Sequence, residues 1–132
     1  MKISAKIESR QHYHATEVQT NGTVKTIQLP VKPSGYGSSV NGGELLLLSL
    51  ATCFCNDIYR EAEARGIPVS GMTVECTGEF GAPGEPGMDF KYRAEVSADA
   101  SPAQVEELIR ITDQVAEVHN TLRKGLAVVL ER

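Results

Sequence analysis

The spacing of apolar positions changes period several times along this chain. Ile3, Ala5 and Ile7 alternate with charged or polar neighbours, the two-residue period of a strand over 2–8. Asn21-Gly22 is a strong hairpin signal, joining a strand that ends near Val18 to one over 23–29, stopped by Pro30 and Pro33. Residues 33–43 are a Gly/Ser-rich loop. From there a helix is predicted to run to Arg65, because Gly66 followed by Pro68 is a stop signal. It would be about 33 Å long. Met72, Val74, Cys76, Gly78 and Phe80, and then Met88, Phe90, Tyr92, Ala94 and Val96, alternate with polar residues on either side of the loop 81–87. That is a hairpin with one wet face. Ser101, Pro102 and Gln104 supply an N-cap, a proline at N1 and a capping-box glutamine. Val105, Leu108, Ile109, Thr112, Val115, Ala116 and His119 follow at helical spacing, and 126–131 is a predicted final strand. The order β-β-β-α-β-β-α-β reads as one α+β domain over 1–132.

The long helix carries a further implication. Leu45 to Leu48 are consecutive, so at 100° per residue they point around its whole circumference. A helix apolar all round must be buried all round. One sheet and one other helix do not suffice, so a second copy of the chain is expected to cover it. The loop 30–43 folding over the helix is the alternative.

Composition narrows the class without naming it. The 132 residues are 41% hydrophobic and 23% charged, ordinary for a soluble domain able to bury its own core. The net charge of −4, with no Lys/Arg cluster, argues against a nucleic-acid partner. No apolar run approaches the roughly 20 residues of a membrane span, and residues 1–8 do not resemble a signal peptide. Three cysteines, two of them two residues apart on a helix, fit reduced thiols in the cytosol.

Helical geometry ranks those thiols. Cys55 shares its face with Leu48, Ala51, Ile58, Tyr59 and Ala62, a core stripe, and Cys76 lies on the apolar face of its strand. Both read as packing. Cys53 differs, since Ser49, Asn56, Asp57 and Arg60 lie at −4, +3, +4 and +7. On this polar stripe Arg60 would favour a thiolate and Asp57 would oppose it. His12 and His14 read as surface histidines on one strand face. The Cys-x-Cys pair splays its sulfurs and is poor zinc geometry. The glycines at 35, 37, 42 and 43 match no phosphate-binding loop.

The block Asn41-Gly-Gly-Glu-Leu-Leu-Leu-Leu-Ser-Leu-Ala-Thr-Cys-Phe54 resembles the central-helix signature of the OsmC/Ohr family. Arg65-Gly66-Ile67, the Val-rich hairpin and Ala116-Glu117-Val118-His119-Asn120 fit the same plan, so the resemblance covers nearly the whole chain. It implies an intertwined homodimer with two long central helices, and a peroxidatic role for Cys53. In the family that thiolate attacks the peroxide O–O bond, and a second cysteine traps the sulfenic acid. Here Asn120-Thr121 stands in place of the second cysteine. The family's catalytic glutamate aligns with Gly43, leaving Glu44 one residue along, and its arginine matches Arg10 loosely. His119 and Asn120 are placed to face Cys53, with His119 stabilising a thiolate or acting as base.

The resemblance therefore implies reduction of an organic hydroperoxide or other electrophile by a lone Cys53, an external thiol acting as resolver. No cofactor or metal and no membrane or nucleic-acid partner is expected. Two alternatives stand beside it: a non-catalytic dimer binding a small or lipid-like ligand, and a metal held by Cys53 and His119 across the dimer. A normal or raised Cys53 pKa, with no sulfenic acid formed on peroxide treatment, would exclude the enzyme.

Overall fold

The structure is a computed structural model that describes residues 1–132. By its internal contacts the chain forms two compact units, 1–45 and 46–132, each described by itself.

In the first unit, β1 (Ile3–Arg10), β2 (Tyr13–Thr20) and β3 (Thr23–Thr26) make an antiparallel sheet in that order. Ile3 pairs with Thr20 and Arg10 with Tyr13 at its two ends. Asn21 and Gly22 both take positive φ, 47° and 86°, the backbone of a type I′ turn. The Asn21 side chain also accepts a hydrogen bond from the Lys2 N–H at 2.9 Å. His12 lies in the β1–β2 turn with φ 57°, so it does not share a strand face with His14 as the alternation suggested. His14 is on β2, and both its ring nitrogens are buried without a partner.

The long helix α1 (Gly42–Ala64) has defined ends. At its start Asn41 Oδ1 accepts from the Glu44 N–H at 2.8 Å, and Glu44 Oε1 accepts from the Asn41 N–H at 3.1 Å. This reciprocal capping box satisfies two donors that the first turn would otherwise leave free. At its end Gly66, with φ 65°, donates to the Glu63 carbonyl at 3.1 Å, and Ile67 to the Ala62 carbonyl at 2.9 Å. That is a Schellman motif, which needs a residue free to take positive φ.

In the second unit α1 packs on the hairpin of β4 (Val69–Glu79) and β5 (Met88–Ala98) and on helix α2 (Pro102–Val115). Phe54, Ile58 and Ala62, at four-residue intervals, are buried with Leu108 of α2 against Met72, Val74, Tyr92, Ala94 and Val96. Burying each large apolar side chain contributes about 1.5–3 kcal/mol. The Ser101/Gln104 capping box and Pro102 at the start of α2 are as expected. No helix is long and apolar enough to cross a membrane.

Two predicted features differ. The late helix is two helices, with α3 spanning Glu117–Lys124 and the break at Ala116, which is fully buried with φ −68° and ψ 104°. Side chains of α3 satisfy carbonyls at the end of α2: Asn120 Nδ2 donates to Gln114 O at 3.0 Å and Arg123 to Asp113 O at 3.2 Å. They do what a continued helix would have done. Residues 126–131, expected as a strand, form none, and Val128 is 98% exposed. A lone segment with no strand beside it has no partner for its backbone N–H and C=O groups.

Candidate functional site

The break at Ala116 aims the first turn of α3 at the middle of α1. The Cys53 S–H donates to Asp57 Oδ2 at 3.5 Å, and Glu117 Oε2 lies 3.9 Å from the same sulfur. Arg60 Nη1 is 3.0 Å from Asp57 Oδ1 and 3.8 Å from Glu117 Oε1, so one guanidinium ties both carboxylates. Asp57 is 4% exposed, an unusual setting for a carboxylate unless it is paired as this one is.

Burial pushes the Cys53 thiol above its ordinary pKa, and the Asp57 and Glu117 carboxylates push it the same way. A backbone N–H of α3, that of Val118, pulls in the opposite direction by favouring the thiolate. Asp57 is also raised, first by burial and then by Glu117, against the attraction of Arg60. The pair is therefore a thiol hydrogen-bonded to a carboxyl group, both held above their ordinary pKa values. Chemically the cluster can take a proton off sulfur and return it. Cys53, Asp57 and Glu117 also offer three ligand atoms within 4.8 Å of one another. Arg60 already supplies their counter-charge, and His119 is not one of the three.

The residues singled out from sequence lie at several places. Cys53 is half-buried on α1, with Asp57 and Arg60 of its predicted stripe beside it. The Ser49 hydroxyl donates instead to Leu46 O at 2.6 Å, back along its own helix. His119 is buried between aromatic rings, 4.6 Å centroid to centroid from Tyr92 and 6.1 Å from Phe54, and neither ring nitrogen has a hydrogen-bond partner. Asn120 is committed to Gln114 and to Arg123, whose Nη1 donates to its Oδ1 at 3.1 Å. Glu44 belongs to the cap of α1, and the Arg10 guanidinium lies 4.6 Å from the Tyr13 ring centre. Glu117 was not singled out. It is 64 residues from Cys53, and only the helix break turns it toward the sulfur.

The family model described as OsmC-like protein matches residues 35–131. The chain belongs to the OsmC-like family. Solved structures agree with this at the level of fold. An OsmC-like protein from Mycoplasma pneumoniae superposes with a TM-score of 0.65 at 19% identity, covering 92% of this chain and 86% of the other. An organic hydroperoxide resistance protein OsmC from Legionella pneumophila gives 0.56 at 21%, covering 93% and 90%. An organic hydroperoxide resistance protein from Elizabethkingia anophelis, with thiocyanate bound, gives 0.56 at 17%, covering 91% and 86%. No curated protein matches the sequence. Within this OsmC-like protein the other two thiols have plainer surroundings. Cys76 is raised by burial alone, and Cys55 is half-buried one turn from Ala51 and Ile58.

Proposed function

We propose that this protein reduces organic hydroperoxides through Cys53, with an external thiol completing the cycle. The supporting observation is a nearly buried carboxylate, Asp57, that accepts a hydrogen bond from the Cys53 thiol at 3.5 Å. In this reading Asp57 takes the proton as sulfur attacks the terminal peroxide oxygen. The O–O bond breaks, Cys53 becomes a sulfenic acid, and the departing alkoxide leaves as alcohol with the proton Asp57 held. An external thiol then attacks the sulfenic sulfur, releasing water and forming a mixed disulfide, and a second thiol frees Cys53. The Val118 N–H stabilises the sulfur while it carries charge.

Asp57 replaces His119 as the base, because its oxygen touches the sulfur and the imidazole makes no hydrogen bond. Asn120 acts by holding α3 to α2, which keeps Glu117 and Val118 beside Cys53. Glu44 serves as the cap of α1, and Arg10 lies over the Tyr13 ring. The protein works as a homodimer in the cytosol, where reducing thiols are abundant. Leu48 in the first third of α1 is 60% exposed and Leu130 77%, apolar surface that a second copy would cover. Light scattering that finds only monomer at micromolar concentration would remove the dimer.

The raised thiol pKa favours a second reading, a ligand-binding protein whose Cys53 is never oxidised. One experiment separates them. Treated with cumene hydroperoxide, the wild-type protein should form a dimedone-reactive sulfenic acid and consume peroxide when dithiothreitol is supplied. Cys53→Ser should abolish both, while Cys55→Ser and Cys76→Ser retain them. Absence of sulfenic acid in the wild type decides for binding without catalysis.

A further inference from the structure

The imidazole of His119 poses a question the thiol chemistry leaves open. It is 4% exposed, and both Nδ1 and Nε2 are buried with nothing to bond to. Unpaired polar atoms in a protein interior are uncommon and call for a ligand or another partner. The ring borders a pocket of about 310 Å³, at the small end of the range for small-molecule sites. Leu50 of α1, Phe90 of β5 and Leu122 of α3 give it apolar walls.

Two of the other polar groups at this pocket are already paired with Asp113. The Tyr92 hydroxyl donates to Asp113 Oδ1, and the Tyr92 ring meets the imidazole edge-on. Arg123 donates to Asp113 Oδ1 at 2.6 Å and to Asn120 Oδ1 at 3.1 Å. Its charge is matched by Asp113, and Lys91, the other cation lining the pocket, is an exposed residue of β5. Burial, with Arg123 nearby, lowers the pKa of His119 and keeps the ring neutral at pH 7. A neutral imidazole has one N–H donor and one bare nitrogen acceptor. A pure hydrocarbon would leave both unpaired, whereas a hydroxyl group can donate to one or accept from the other.

We propose that the pocket between α1, β5 and α3 binds a small molecule carrying a hydroxyl group on a compact apolar body, the hydroxyl bonding to His119 and the body lying against Leu50, Phe90 and Leu122. Cys53 does not line this pocket, so the site stands whether or not the thiol is catalytic.

The test compares two probes of one shape, 2-phenylethanol and ethylbenzene, titrated into the full chain and followed by the ¹⁵N resonances of the histidine rings. The alcohol should shift the His119 ring nitrogens saturably and bind about threefold to tenfold tighter than the hydrocarbon, the worth of one neutral hydrogen bond. His119→Gln, which keeps a donor and an acceptor, should preserve that order. His119→Phe, apolar and of similar size, should reverse it. Three results overturn the proposal: ethylbenzene binding as tightly as the alcohol, His119 resonances that ignore the alcohol, or resonances that move with protein concentration alone. The last would make the pocket a contact between copies. Should His119→Phe not fold, the wild-type ratio of the two probes decides by itself.

Discussion

Glu117 and His119 are two residues apart on α3, yet they serve opposite surroundings. Glu117 joins Cys53, Asp57 and Arg60 in a cluster where every charge has a partner. His119 turns into an aromatic pocket where its two nitrogens have none. The first arrangement is suited to moving a proton, because the acceptor is desolvated, counter-charged and in contact with the donor. The second is suited to selecting a ligand, because unpaired polar atoms in an apolar wall reward a matching group and penalise its absence. One short helix thus carries two kinds of site, separated by the period of its backbone.

The comparison breaks first at Asp57. If Asp57 is the base, Asp57→Asn should lower the single-turnover rate with cumene hydroperoxide by about 10²-fold, the lower end for general base catalysis. Alkylation of Cys53 by iodoacetamide at pH 8 should change the other way and become faster. Asparagine removes a negative charge that holds the thiol pKa up, and alkylation needs only the thiolate. Both rates falling together would mean that Asp57 merely shapes the site. Glu117→Gln should give a weaker version of the second effect alone, about a threefold gain in alkylation at low salt, equivalent to roughly half a pKa unit. Its side chain is 69% exposed, so the gain should fade as salt screens the charge.

Much of this was legible in the sequence, and the missing parts share a cause. Asn21-Gly22, the alternation of β4 and β5, the Ser101/Gln104 box and the Gly66 stop are local signals, and each formed as read. The stripe through Cys53, Asp57 and Arg60 is also local, since α-helical spacing alone places those residues together. Glu117 depends on the break at Ala116, which no glycine or proline announces; a buried alanine and two side chains reaching back to α2 maintain it. The segment 126–131 reads as a strand because it is apolar and β-branched, but a strand exists only beside another one. The second residues of both sites, Glu117 and the unpaired His119, are products of tertiary placement.

The smallest expected effect concerns stability and involves at most one proton. The pKa of His119 is lowered from 6.5, with burial the first cause, so the folded protein resists protonating it. Below pH 6.5 the unfolded chain binds that proton more readily than the folded one, and the equilibrium shifts toward unfolding. The contribution is intact above pH 6.5 and is lost as pH falls from there toward the lower folded-state value. In urea titrations the midpoint of the wild-type protein should fall from pH 7 to pH 5 more steeply than that of His119→Phe, which has no proton to bind. Asp57→Asn serves as the control from the other site. Asp57 is raised in the folded state above 3.8, so protonating its carboxyl favours folding as pH falls toward 3.8, and the variant should lose that aid. The two variants should therefore deviate from the wild type in opposite directions, His119→Phe flatter between about pH 7 and 5 and Asp57→Asn steeper as pH falls on toward 3.8. A common deviation would mean that the two sites of α3 respond to protons as one.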